Sequence, residues 1–231
     1  MRWGAAPDLS PQAGAIAHAR VELENAGSVR WRPGINVAYH WLDRRGNAIV
    51  WDGKRTPAPA LDPGARTTID LPVRGPIPPG GYRLAFDMVA ENRAWFSSLG
   101  SAMLELDLEV APRRGDPHAD LPEGVVPAPG WEEHVRAAHA DGYAVVAGSI
   151  DWHGGPFHPR PRALAPYAPG AGRVPRFGAP LICPSVLDGI ELERLGDVAG
   201  LPAYAAPADE PWIYDGRAVL TARPRSGRRP T

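Results

Sequence analysis

Along the first half of the chain, apolar residues recur at every second position in short runs separated by turn residues. Val21 and Leu23, with the preceding Ile16, alternate with polar or small residues until Asn25-Ala26-Gly27 breaks the run. From Ile35 to Leu42 the pattern places Val37, Tyr39 and Trp41 on one face and Ala38, His40 and Leu42 on the other, and Gly46-Asn47 turns the chain into a hairpin with Ala48 to Trp51. The stretch Arg55-Thr56-Pro57-Ala58-Pro59 is too proline-rich for a central strand, and Asp62-Pro63-Gly64 reverses the chain. Thr67, Ile69 and Leu71 form the next strand. Tyr82, Leu84, Phe86 and Met88 give the cleanest alternation, followed by Ala94 to Ser97 and Met103 to Val110. About seven strands at short, regular intervals predict an antiparallel sandwich. The fold expected is therefore mainly β, with a seven-stranded immunoglobulin-like β-sandwich over residues 12–111.

The period changes beyond that point. Residues 112–130 have the proline and glycine content of a linker. Trp131, Val135 and Ala138 then follow helical spacing, with Glu132 and Glu133 where acids favour a helix N-terminus, and Asp141-Gly142 stops the run. Tyr143 to Ile150 is a buried strand packed under that helix. Asp215-Gly216 is expected as the turn of a hairpin leading into Ala218 to Ala222. Residues 131–222 are thus predicted as a small Pro/Gly-rich α+β domain. The last segment, 223–231, holds four arginines and no acid and is expected to be a disordered basic tail.

Composition narrows the function classes. The chain has 25 basic and 26 acidic residues and a net charge of -1, so no global field draws it to nucleic acid or to an anionic membrane. Lys54 is the one lysine among the basic residues, and with abundant Ala, Pro and Gly this resembles the codon bias of a GC-rich genome. The single cysteine, Cys183, excludes an intramolecular disulfide and a thiolate-rich zinc site. The N-terminal segment lacks the apolar core of a signal peptide, and no run approaches the roughly 20 residues of a membrane helix. A cytoplasmic protein without a membrane span is expected.

Trp31, Trp41, Trp51 and Trp95 resemble the tryptophan set of the four-tryptophan immunoglobulin-like domain of autophagy cargo receptors. The strings YHWLDRRG, VWDGKRTPAP, LDPG, PPGGYRLAFDMV and AWFSSLG more closely resemble bacterial relatives of that domain, which occur beside glycosyltransferase, methyltransferase and cell-envelope modules. The resemblance covers the N-terminal half only. It implies the fold and an accessory role, without a particular ligand. Trp41 and Trp95 are expected to fill the space between the sheets, as large aromatics on alternating strands do. Trp31 and Trp51 lie near turns, where an indole face suits the apolar face of a sugar and Asp52 or Arg55 can bond its hydroxyls. Tyr82, following Pro79-Gly80-Gly81, is expected to close a loop through its hydroxyl.

The alternative is an enzyme, a metal-assisted hydrolase or a glycosyltransferase-associated activity, with its site in the C-terminal domain. It rests on Asp151-Trp152-His153-Gly154-Gly155-Pro156-Phe157-His158, where Asp151, His153 and His158 offer a carboxylate and two imidazoles in a Gly-rich loop after a strand. That spacing matches no established metal or catalytic motif. His134 and His139, five positions apart, do not share a helix face and are expected to be solvated. Cys183 reads as a buried small hydrophobe, and Ser185 lacks a nucleophile elbow. The expected function is a non-catalytic binding module that engages a glycan or a glycan-modifying protein, with no cofactor and no metal.

Overall fold

Alternation at period two sends one row of side chains from each long strand into a shared interior, and the unit Met1–Pro112 is built on that interior. The computed structural model describes residues 1–152, 172–174 and 178–222. Among these the protein is mainly β, with a single α-helix. In the first unit the strands are β1 (Arg2–Trp3), β2 (Ile16–Glu24), β3 (Ile35–Leu42), β4 (Ala48–Val50) and β5 (Thr56–Pro57). They continue with β6 (Arg66–Arg74), β7 (Gly80–Ala90), β8 (Ala94–Trp95) and β9 (Leu104–Val110). One antiparallel sheet has the order β1-β2-β6; the other runs β4-β3-β7-β8, with β5 on β3 and β9 on β7.

The two sheets share one core. Ala19, Val21 and Leu23 of β2 and Ile69, Leu71 and Val73 of β6 meet Val37, Tyr39 and Trp41 of β3 and Leu84, Phe86 and Met88 of β7. Two hydrogen bonds tie the layers at one backbone residue: Trp41 Nε1 donates to the Arg74 carbonyl at 2.9 Å, and the Arg74 N–H donates to the Tyr39 hydroxyl at 3.1 Å. Residues before 12 also belong to this unit, since Arg2 and Trp3 pair with Glu24 and Leu23.

The second unit comprises Arg113–Thr231. It contains β10 (Pro117–Ala119), β11 (Val125–Pro127), α1 (Trp131–Asp141), β12 (Val145–Trp152), β13 (Arg173–Val174) and β14 (Leu181–Ile182). These are followed by β15 (Ser185–Leu187), β16 (Arg194–Val198), β17 (Leu201–Tyr204) and β18 (Trp212–Ala222). The larger sheet runs β10-β15-β12-β18-β11, with β13 also on β18, and the smaller runs β14-β17-β16. Period two again sorts the faces of β12. Val146 packs with Val135 and Ala138 of α1, whereas Val145 and Ala147 join the opposite core with Leu181, Ile182 and Leu220. No helix among the described residues is long and apolar enough to cross a membrane.

Three expectations for this unit change. The stretch expected as a linker supplies two strands, because β10 pairs with β15 and β11 with β18. The expected Asp215-Gly216 hairpin is one strand, β18, running parallel to β12 with a register shift after Gly148. Asp215 causes the departure from a turn. Its carboxylate is fully buried and accepts from the Arg217 N–H at 3.0 Å, from Arg217 Nε at 2.9 Å and from Arg173 Nε at 2.9 Å, so the chain bulges around it. Gly148 admits the bulge: a Cβ there would lie 1.9 Å from the Ala218 carbonyl oxygen. Finally, His139 is not solvated but sits on the buried face of α1, between the Tyr143 carbonyl and the Ser185 hydroxyl. The basic segment 223–231 lies outside the described residues.

Candidate functional site

The outer face of the larger sheet in the first unit carries polar groups where solvent-facing residues are expected, yet these groups are buried. Ala38 and His40 of β3 oppose Asp87 and Ala85 of β7, and all four are fully buried. Two segments cover them. Asp87 holds the first: its carboxylate accepts from the Ser97 N–H at 3.2 Å, from the Ser97 hydroxyl and from the Met88 N–H at 2.7 Å, fixing the chain just after β8. The second is the crossing from β4 to β5, where the Gly53 N–H donates to the Tyr39 carbonyl at 2.9 Å. A Cβ at Gly53 would lie 2.5 Å from the Tyr39 ring, so only glycine lets this crossing lie so close.

These segments bring Trp51 and Trp95 together over His40. The Trp51 indole stacks on the imidazole, with centroids 4.3 Å apart and planes 20° from parallel. Trp95 meets the same imidazole edge-on at 4.7 Å and meets Trp51 at 6.3 Å and 68°. Trp51 remains 50% exposed. One indole face is covered by His40, so the exposure belongs to the opposite face and the rim.

Paired charges border the aromatic corner. The Arg55 guanidinium makes a two-point contact with Asp52, at 2.9 Å and 3.2 Å, and also pairs with Glu91. It lies 5.7 Å from the Trp95 ring centroid, in cation–π range. Glu91 in turn accepts from Asn36 Nδ2 on β3. Asp52 and Arg55 retain substantial side-chain exposure.

Of the residues expected to touch a ligand, Trp51, Asp52 and Arg55 come together and Trp31 does not. Trp31 is 7% exposed and packs in the core between the sheets. Its backbone N–H donates to the Leu61 carbonyl at 2.9 Å, which draws the chain over the sandwich edge and the indole inward. Trp41 is fully buried in that core, as expected. Trp95, expected beside it, instead sits on the outer face, because β8 pairs with the end of β7 at Val89. Tyr82 behaves as the loop-closing residue, its hydroxyl donating to the Pro78 carbonyl at 2.8 Å. Sequence reasoning does not single out His40, Asp87 or Glu91. The signal that points to His40 and Asp87 is a polar side chain flanked on its own face by apolar neighbours, Ala38 and Leu42 for His40 and Ala85 and Val89 for Asp87.

In the second unit, Asp151 is half-buried on β12, opposite Thr221 of β18. His153 and His158 lie outside the described residues. Cys183 is buried, and burial pushes its thiol up to about 12, which keeps it protonated. Ser185 is buried too, with its hydroxyl 3.0 Å from His139 Nε2. Among the described residues, no three His, Cys, Asp or Glu side chains are grouped to hold a metal ion. No protein-family model matches this chain, and no curated protein matches it.

Proposed function

We propose that the first unit is an immunoglobulin-like carbohydrate-binding module of the four-tryptophan type and that it takes a neutral glycan on the outer face of its larger sheet. The half-exposed indole of Trp51, stacked on a buried imidazole, carries this reading. Sugar rings present C–H groups on one face, and a rigid indole offers them a flat apolar surface at little conformational cost. The rim supplies the polar complement: Asp52 and Glu91 accept from hydroxyls, and Arg55 donates. Arg55 is paired with both carboxylates, which leaves the rim one negative charge in excess, so it suits a neutral polyhydroxyl ligand better than an anionic one. The hydroxyl of Tyr82 reaching back to Pro78 supports the immunoglobulin-like reading, since such a corner closes a loop in many domains of that class.

The test is titration of the full chain with maltoheptaose and cellohexaose, as α- and β-linked neutral probes, and with a bacterial surface polysaccharide. Saturable binding that Trp51→Ala removes supports the reading. Silence across all three ligands rejects direct sugar binding and leaves docking to a glycan-modifying protein as the role of this face.

A further inference from the structure

We infer that His40 is the positioning residue of the platform, holding the Trp51 indole in its ligand-ready pose, and that the fold retains a buried, unsatisfied nitrogen for that purpose. The inference rests on the reading of Trp51 as a binding surface. His40 projects from the centre of β3 to the outer face and is fully buried there. Its Nδ1 contacts the Trp51 carbonyl oxygen. A carbonyl only accepts, so Nδ1 carries a proton, and in the neutral ring Nε2 presents a bare lone pair. That Nε2 is the buried side-chain polar atom left without a hydrogen-bond partner among the described residues.

An orphaned buried acceptor is unfavourable, and a phenyl ring would fill the same slot without it. The phenyl ring would keep the stack with Trp51 and the edge contact with Trp95 but would lose the Nδ1–H donor. That donor matters because the chain leaves the sheet ladder between β4, which ends at Val50, and β5, which begins at Thr56. In that gap the imidazole fixes the Trp51 backbone with its N–H and the Trp51 indole with its face. One side chain therefore sets both the position and the tilt of the exposed surface. A platform ordered in advance loses less entropy when a ligand arrives.

The test uses the full chain labelled at the tryptophan indole nitrogens, with relaxation order parameters measured before and after maltoheptaose or cellohexaose is added. His40→Phe is expected to melt at or above the wild-type temperature while the Trp51 indole loses order. Affinity for the bound oligosaccharide should fall about five-fold, the range of one lost neutral hydrogen bond. His40→Asn, whose amide can reach the Trp51 carbonyl but has no ring, should keep the backbone anchor and lose the stack. Its indole should also be less ordered than wild type. A merely structural role moves stability and order downward together, and that result in His40→Phe overturns the inference. Unchanged Trp51 order in His40→Phe overturns it as well, whether or not sugar binds. If neither oligosaccharide binds wild type but Trp51 order still falls in His40→Phe, the positioning role stands and the glycan reading is the part that fails.

Discussion

Acid should weaken the second unit through one buried histidine. His139 Nδ1 donates to the Tyr143 carbonyl at 2.8 Å, its Nε2 lies 3.0 Å from the Ser185 hydroxyl, and the residue is 3% exposed. Nε2 of the neutral ring is therefore the acceptor of the Ser185 O–H, and a second proton would place a charge in a buried site and turn that hydroxyl round. Burial lowers the imidazole from 6.5 to about 4. Between those values the unfolded chain holds a proton that the folded chain does not, so stability falls as pH drops through the window and is fully present only above about 6.5. At roughly 1.4 kcal/mol per pH unit the full effect is about 3 kcal/mol, of which about 2 kcal/mol is lost between pH 7 and pH 5.

Cys183 provides the assay. It is the one cysteine in the chain and is buried in the same unit as His139, so its modification by dithiodipyridine, which reacts with thiols in acid, reports opening of that unit alone. Urea titrations of thiol protection at pH 7 and pH 5 should differ by about 2 kcal/mol for wild type. The difference should shrink to the background of other carboxylates in His139→Gln, whose amide can still accept from Ser185. An equal pH shift in both proteins would show that His139 is not the group responsible. An imidazole titration of folded His139 near 6.5 would do so too.

Two further substitutions probe the packing. Trp31→Ala should destabilise the first unit by about 3 to 5 kcal/mol, as removal of a large core aromatic does, seen as a lower melting temperature in near-UV circular dichroism. A shift of less than 1 kcal/mol would place that indole outside the core. Asp215→Asn should destabilise the second unit by about 3 kcal/mol, because burial alone would raise the carboxyl but Arg217 and Arg173 hold it below the ordinary range. The substitution leaves both guanidiniums facing a neutral group. Thiol protection of Cys183 in urea measures the change, and an unaltered midpoint contradicts the assigned role of the Asp215 cluster.

Alternation makes the central strands of the first unit legible, because a long strand with one buried face repeats its signal several times. Val37, Tyr39 and Trp41 fall on one face by spacing alone, as do Leu84, Phe86 and Met88, and in both strands that face is the inner one. Trp31 and Trp95 exchange their expected roles because neither lies in a run long enough to show a period. Trp31 precedes β3 in an extended loop, and Trp95 belongs to a two-residue strand whose face is set by its pairing with Val89. The site is partly legible for the same reason. Trp51, Asp52 and Arg55 are close in sequence and stay together, whereas His40, Glu91 and Trp95 reach them only through sheet pairing. Asp215-Gly216 looks like a turn because the dipeptide is local, while the partner that buries its carboxylate, Arg173, lies 42 positions away. His139 looks solvated because its position on a short helix does not reveal Ser185, 46 positions on, waiting beneath it.

We propose that the exposed face of Trp51 binds a neutral glycan, while Trp31 serves the core. Isothermal titration of the full chain with maltoheptaose, cellohexaose and a surface polysaccharide, repeated on Trp51→Ala, tests it most directly. The account predicts saturable binding to at least one of them and a loss of about ten-fold or more in Trp51→Ala, with a melting temperature within a few degrees of wild type. Binding that survives Trp51→Ala, or no binding by wild type to any of the three, contradicts it.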